Sequence, residues 1–158
     1  MIGTRGGIGF LLFALYLLQL SIPINWNNLS ELQQNEQYKL WSGLFLFIVI
    51  LTQWYLTFGR VVLKLNYDTN LKLVTLHKWI GVFAPIVYFF HSARPGYGLL
   101  FLLTIIFFAN LLTGYLNDRS ILIKGTILYY LWLVPHIILS VAVLGLTFIH
   151  IWIVFYFE

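Results

Sequence analysis

Long apolar runs separated by short polar breaks dominate the chain. A membrane-spanning helix needs about 20 mostly apolar residues, within a range of roughly 17–25. Five stretches meet that requirement: 8–24, 40–58, 71–91, 97–116 and 127–157. The pattern predicts an all-α membrane protein, a bundle of about five transmembrane helices forming a single domain over residues 1–158. The fifth run is too long to stand upright, so it is expected to tilt, to kink or to begin in the membrane interface.

Composition gives the same answer independently. Apolar residues make up 61% of the chain and charged residues 9%, with a mean hydropathy of +0.89. A soluble domain carries about 25% charged residues. So little charge cannot cover a water-facing surface, and lipid is the expected solvent. The chain has no cysteine, which excludes disulfides, iron–sulfur clusters held by cysteine and covalently attached c-type haem.

Charge placement predicts orientation. Arg5, Arg60, Lys64, Lys72, Lys78, Arg119 and Lys124 fall on one side of a five-helix arrangement, and Lys39 and Arg94 on the other. Cytoplasmic loops carry the excess of Lys and Arg, so the N-terminus is expected inside and the C-terminus outside. Trp26, Trp41, Trp54, Tyr55, Tyr97 and Tyr115 lie near span ends, as interfacial aromatics do. The net charge of +4 is spread over these loops. No basic cluster is interleaved with exposed aromatics, so no nucleic-acid partner is expected.

Three weaker signals are set aside. Arg5 ahead of an apolar run resembles a signal peptide, but Ser21, Ile22, Pro23, Ile24 and Asn25 follow without a small-x-small cleavage pattern. The segment is therefore read as a retained helix. The glycines Gly3, Gly6, Gly7 and Gly9 follow no strand and make no phosphate loop; they are expected to form a flexible entry to the first helix. Asn28-Leu29-Ser30 fits a glycosylation sequon, a triplet that is frequent by chance.

The chemistry lies in four histidines, His77, His91, His136 and His150. Ionisable groups in or at the end of a membrane span are expensive and are candidates for function. One such histidine could simply bond a neighbouring helix, but the spacing argues for more. His91 follows His77 by 14 residues, and His150 follows His136 by 14. Fourteen residues of α-helix return the second side chain to within ~40° of the first, roughly 21 Å further along the axis. That is too far for one shared metal ion. It suits two flat cofactors at two depths. The third and fifth spans run in the same direction, so His77 falls level with His136 and His91 with His150. Two imidazoles at each level fill both axial positions of a haem iron, which then carries electrons and binds no dioxygen. A zinc site would need three or four ligands close together, such as histidines at i and i+4, and that pattern is missing. A proton path through histidines gives no reason for two equal intervals. Two non-covalent b haems are therefore the expected cofactors.

Several neighbours leave alternatives open. Gly81 and Ala84 lie four and seven residues after His77, and Ser140 lies four after His136. Small side chains there would let a porphyrin approach, or would let helices pack closely. Pro85 and Pro135 each remove one backbone hydrogen bond and tend to kink a helix. Pro135 either aims His136 or is simply tolerated, as prolines in membrane helices are. Asn110 is a deep polar residue, suited to joining helices or to standing beside a haem. Lys72, Lys78, Arg119 and Lys124 on the inner side and Arg94 on the outer side are candidate partners for anionic haem propionates, or ordinary topology signals.

With these residues in view, the chain resembles the ferric reductase-like transmembrane domain family. That family includes metalloreductases, the membrane part of NADPH oxidases and the haem subunit of the bacterial periplasmic methionine sulfoxide reductase system. Leu76-His77-Lys78-Trp79-Ile80-Gly81 through Tyr88-Phe89-Phe90-His91 is similar to its first ligand helix, about 71–93. Leu131-Trp132-Leu133-Val134-Pro135-His136 through Phe148-Ile149-His150 is similar to its second, about 127–157. One helix between the two also matches, and the likeness covers roughly residues 45–152. It implies an inner haem on His77 and His136 and an outer haem on His91 and His150. It further implies electron flow from the inner side, or from membrane quinol, to an outer acceptor, in a multi-pass protein of the bacterial inner membrane. Longer members carry a sixth helix and a flavin and nicotinamide module. This chain runs eight residues beyond His150, so the expected donor is a partner protein or a quinol. The expected setting is a hetero-oligomeric complex in which this chain is the electron-transfer subunit of an oxidoreductase.

Two other readings compete. A relative of the quinol-oxidising cytochrome b would also carry two histidine pairs at this interval. It would usually have one helix before them and a Pro-Glu-Trp-Tyr quinol motif after them. A non-redox membrane anchor or proton-conducting subunit with structural histidines is the reading from another class.

Overall fold

The computed structural model describes residues 4–22, 24, 26–116 and 126–157. It is all-helical, with no strand among the described residues. The elements are α1 (Thr4–Ser21), α2 (Asn27–Gln34), α3 (Glu36–Val61), α4 (Tyr67–His91), α5 (Leu99–Leu116) and α6 (Thr126–Phe157). All but α2 are long and apolar enough to cross a bilayer. Most of their large apolar side chains face outward, among them Leu11, Leu18, Phe45, Phe83, Ile105, Ile138 and Phe155. An apolar surface of this extent is stable only against lipid. The protein is a multi-pass integral membrane protein.

Helix boundaries follow from local chemistry. Asn35 ends α2 and caps α3, its side-chain oxygen accepting from the Tyr38 N–H at 3.1 Å. Asn66 does the same for α4, accepting from the Thr69 N–H at 2.9 Å. That cap draws the polar first turn Tyr67–Asn70 into α4, so the helix begins four residues ahead of its apolar run. The reversal from α3 to α4 is tight. Leu65 N–H donates to Gly59 O at 3.0 Å, and Lys64 takes the left-handed backbone conformation (φ 47°) that few side chains adopt readily. Gly98, with φ 56°, stands just ahead of α5 in the same region, which glycine enters without strain.

Two sequence expectations change. Gly6, Gly7 and Gly9 lie inside α1 rather than forming a flexible entry, because the helix already begins at Thr4. In lipid a backbone polar group must be satisfied within its own helix, and that outweighs the low helix propensity of glycine. The polar break between the first two apolar runs, expected to be a plain connection, also holds a helix, α2. Both prolines are accommodated within continuous helices, Pro85 in α4 and Pro135 in α6. The whole of 126–157 is a single helix of 32 residues.

The chain divides into two compact units. One holds α1 from Leu11 onward with α2, α3 and α4, through Arg94. The other holds the start of α1, through Phe10, with α5 and α6. In the first, α3 and α4 pack along each other as an antiparallel pair, α2 lies against both, and the Tyr16 and Tyr88 rings meet edge to face at 5.6 Å. In the second, α5 and α6 form the antiparallel pair, and Phe10 meets Tyr115 at 5.5 Å. The buried hydroxyls of Thr104 and Thr147 bond back to Leu100 O and Val143 O in their own helices, at 2.8 and 2.7 Å. Back-bonding is how a membrane helix hides a hydroxyl.

Candidate functional site

Each unit carries one histidine pair on one long helix: His77 and His91 on α4, His136 and His150 on α6. All four are half-buried. Fourteen residues of continuous helix place the members of each pair roughly 21 Å apart along the axis. Within the ~30 Å hydrocarbon core of a bilayer, that interval defines two depths.

In three of the four, Nδ1 has a partner on the adjacent antiparallel helix. His77 Nδ1 lies 3.2 Å from the Gln53 backbone carbonyl on α3. A carbonyl only accepts, so Nδ1 carries the proton. His91 Nδ1 lies 3.1 Å from Ser42 Oγ, also on α3. Ser42 Oγ also lies 3.2 Å from Lys39 O, so its hydroxyl can accept from Nδ1 while donating to that carbonyl. His136 repeats the arrangement on the α5–α6 pair. Its Nδ1 lies 3.0 Å from Thr113 Oγ1, which also lies 2.7 Å from Asn110 O. The carbonyl fixes the proton on Nδ1 of His77, and the two hydroxyls suit the same tautomer in His91 and His136. A histidine that binds a metal through one nitrogen almost always donates the other N–H to such an acceptor, which fixes both tautomer and ring orientation.

Glycine stands next to each of the two hydroxyls. A Cβ built on Gly43 would lie 3.0 Å from His91 Cε1, and one on Gly114 would lie 3.4 Å from His136 Cε1. The missing side chain of Gly43 gives the His91 ring its place, while a Cβ at Gly114 would stand in ordinary contact with His136. His136 is held further by Trp132, one turn earlier on α6, whose indole stacks on it at 5.7 Å and donates to Thr113 O at 2.7 Å.

His91 is the last residue of α4, where helix carbonyls lack intrahelical donors. Side chains from α2 and α3 supply them. Gln33 Nε2 donates to Phe89 O at 2.9 Å and to Phe90 O at 3.0 Å, and Gln33 Oε1 accepts from Ala93 N–H at 3.3 Å. Tyr38 OH also donates to Phe90 O, at 2.9 Å. From α1, Gln19 Nε2 donates to Ala93 O at 2.6 Å. The helix end carrying His91 is therefore clamped.

Three of the open alternatives resolve toward packing. Ser140 Oγ reaches Asn110 Oδ1 at 3.0 Å and its own helix at His136 O, 2.7 Å, so Asn110 and Ser140 join α5 to α6. Ala84 is buried. Gly81 differs, since a Cβ built there meets no atom within 4 Å.

Of the basic residues, Arg94 and Lys72 are exposed and Lys78 is half-buried. Arg119 and Lys124 lie outside the described residues. Among the described residues, no group of three or more His, Cys, Asp or Glu is placed to share one metal ion. Ser42, Gln53, Thr113 and Gln33 escape a reading of the sequence. Each is an ordinary polar residue, and its partner lies 23 to 57 positions away.

Comparison with protein-family models, with curated proteins and with solved structures gives no match to this chain.

Proposed function

We propose that the chain is a transmembrane electron-transfer subunit of the ferric reductase-like type. His77, His91, His136 and His150 would ligate two non-covalent b haems in the couples that the sequence spacing predicts, His77 with His136 and His91 with His150. The observation that carries this reading is the repeated Nδ1 contact. Three histidines on two helices each turn Nδ1 to an oxygen on a neighbouring helix that can accept its proton, which would leave Nε2 as the nitrogen for iron. A structural histidine has no need to present the same nitrogen each time.

Bound there, haem iron takes up and gives up one electron between its ferric and ferrous states. The residues do the rest. Two imidazoles held to each iron would leave no site for dioxygen. The 14-residue interval spreads the ligands over two depths, one toward each face of the membrane. The apolar helices exclude water from both. Electrons would come from a membrane quinol or a reduced partner protein on the inner side of the bacterial cytoplasmic membrane, with the N-terminus inside and the C-terminus outside. Lys78, Arg94, Lys72, Arg119 and Lys124 are the cations available to haem propionates.

The test is a reduced-minus-oxidised spectrum of the purified chain with haem quantified as the pyridine complex. Two b haems per chain are expected. His77→Ala or His136→Ala should remove one, and His91→Ala or His150→Ala the other. Haem-free protein from haem-replete cells would end the proposal.

A further inference from the structure

The polar contacts to His91 and His136 are built alike on unrelated helices. On α3 a hydroxyl residue and a glycine, Ser42-Gly43, face His91. On α5 Thr113-Gly114 faces His136. In both, the hydroxyl lies within hydrogen-bond distance of Nδ1 and of a carbonyl three residues back in its own helix, Lys39 O or Asn110 O. With iron on Nε2, Nδ1 would carry the proton, so the hydroxyl would accept it and turn its own hydrogen to that carbonyl. Hydrogen bonds in series polarise one another, so an oxygen whose hydrogen is already committed is a stronger acceptor. His77 is treated differently, giving its proton to a backbone carbonyl that no side-chain substitution removes.

We infer that Ser42 and Thr113 are positioning residues that set the ligand strength of His91 and His136, and through it the reduction potential of the haem each histidine holds. The inference rests on the haem reading above. An acceptor on Nδ1–H raises the basicity of Nε2. A more basic axial ligand favours ferric over ferrous iron and lowers the potential, because second-shell hydrogen bonding is one of the controls on haem potential. With haem bound, the one electron that reduces ferric to ferrous iron would come from the quinol or partner protein, or from dithionite in the assay; His91 and His136 would remain ligands and Nδ1 would keep its proton. Under the proposed couples each haem has one hydroxyl-tuned ligand, so the two residues act on separate haems.

The experiment is a redox titration of the full-length, haem-loaded chain with dithionite, read by optical spectra and by the low-spin electron paramagnetic resonance signals. The samples are wild type, Ser42→Ala, Thr113→Val, Ser42→Thr and Thr113→Ser. Ser42→Ala should raise one haem's reduction constant about three- to tenfold, the range expected for one hydrogen bond. That is about 28 to 59 mV at ~59 mV per decade for one electron. Thr113→Val should raise the other by a similar factor. Ser42→Thr and Thr113→Ser keep the hydroxyl and should titrate as wild type, which a purely packing role would not predict. Should an apolar variant fail to load haem, Ser42→Cys and Thr113→Cys, with sulfur as the weaker acceptor, should shift the same haem in the same direction. Two haems per chain with unmoved potentials would overturn this inference and leave the proposed function standing. Both variants moving the same haem would overturn the assignment to separate haems. A wild-type chain without haem would overturn both proposals.

Discussion

Adding one methyl group at Gly43 tests how closely α3 is fitted to His91. The built Cβ of Gly43→Ala sits 3.0 Å from His91 Cε1, with Nδ1 at 3.6 Å and Nε2 at 3.8 Å. Carbon atoms rest at about 3.5–4.0 Å from one another, so the ring must retreat by about 0.5 Å. The retreat is away from α3, the helix that also carries the Ser42 acceptor. Its 3.1 Å bond to Nδ1 would lengthen to about 3.6 Å, which is no longer a hydrogen bond. The net loss of one such bond is about 0.5–1.5 kcal/mol. If His91 holds a haem as proposed, that haem should dissociate about 2- to 12-fold faster at ~1.4 kcal/mol per decade. Gly114→Ala is the control. Its Cβ would meet His136 Cε1 at 3.4 Å, within about 0.1 Å of ordinary contact, and dissociation should change less than about twofold. Transfer of haem from each detergent-purified variant to excess apomyoglobin, followed in the Soret band, gives the rates. Wild-type dissociation in Gly43→Ala, or a larger effect in Gly114→Ala, would refute the close fit of α3 to His91.

Two further substitutions separate clamping from packing. Gln33→Leu removes the Nε2 hydrogen bonds to Phe89 O and Phe90 O, leaving Phe90 O with Tyr38 alone, and should lower stability by about 1–3 kcal/mol, read as a lower midpoint of thermal unfolding in detergent. Any haem loss in that variant should be confined to the haem of His91; an unchanged midpoint would show that α2 does not hold the end of α4. Ser140→Ala deletes the contact to Asn110 Oδ1 and should cost about 0.6 kcal/mol, the average for a polar contact between membrane helices, with two haems per chain retained. Selective haem loss in Ser140→Ala would return Ser140 to the haem-binding surface.

The legible part of the site was its spacing. Two intervals of 14 residues mark four histidines as two pairs, because helix geometry converts sequence distance into angle and height without help from the rest of the fold. Ser42 and Thr113 carry no such mark. Each sits on a neighbouring helix, and nothing in Trp41-Ser42-Gly43 or Leu112-Thr113-Gly114 distinguishes a hydroxyl facing an imidazole from one bonding only to its own helix. Ser140 shows the converse. Its interval from His136 fits both a porphyrin and a helix contact, and only the position of Asn110 on α5 decides for the contact. The short helix α2 was hidden because its polar residues read as a loop. Gln33 gains its role from carbonyls at the end of α4.

The sequence alone determined that this protein lives in lipid, that five helices are long enough to cross it, and where along two of them the histidines stand. These follow from hydropathy and helical rise, which act along one segment at a time. Tertiary structure decided which oxygens face Nδ1 of His77, His91 and His136, which glycine makes room for an imidazole, and what seals the end of α4. Those outcomes depend on the register of antiparallel helices, α3 on α4 and α5 on α6. Register is fixed by the interlocking of many side chains at once, so no single segment contains it.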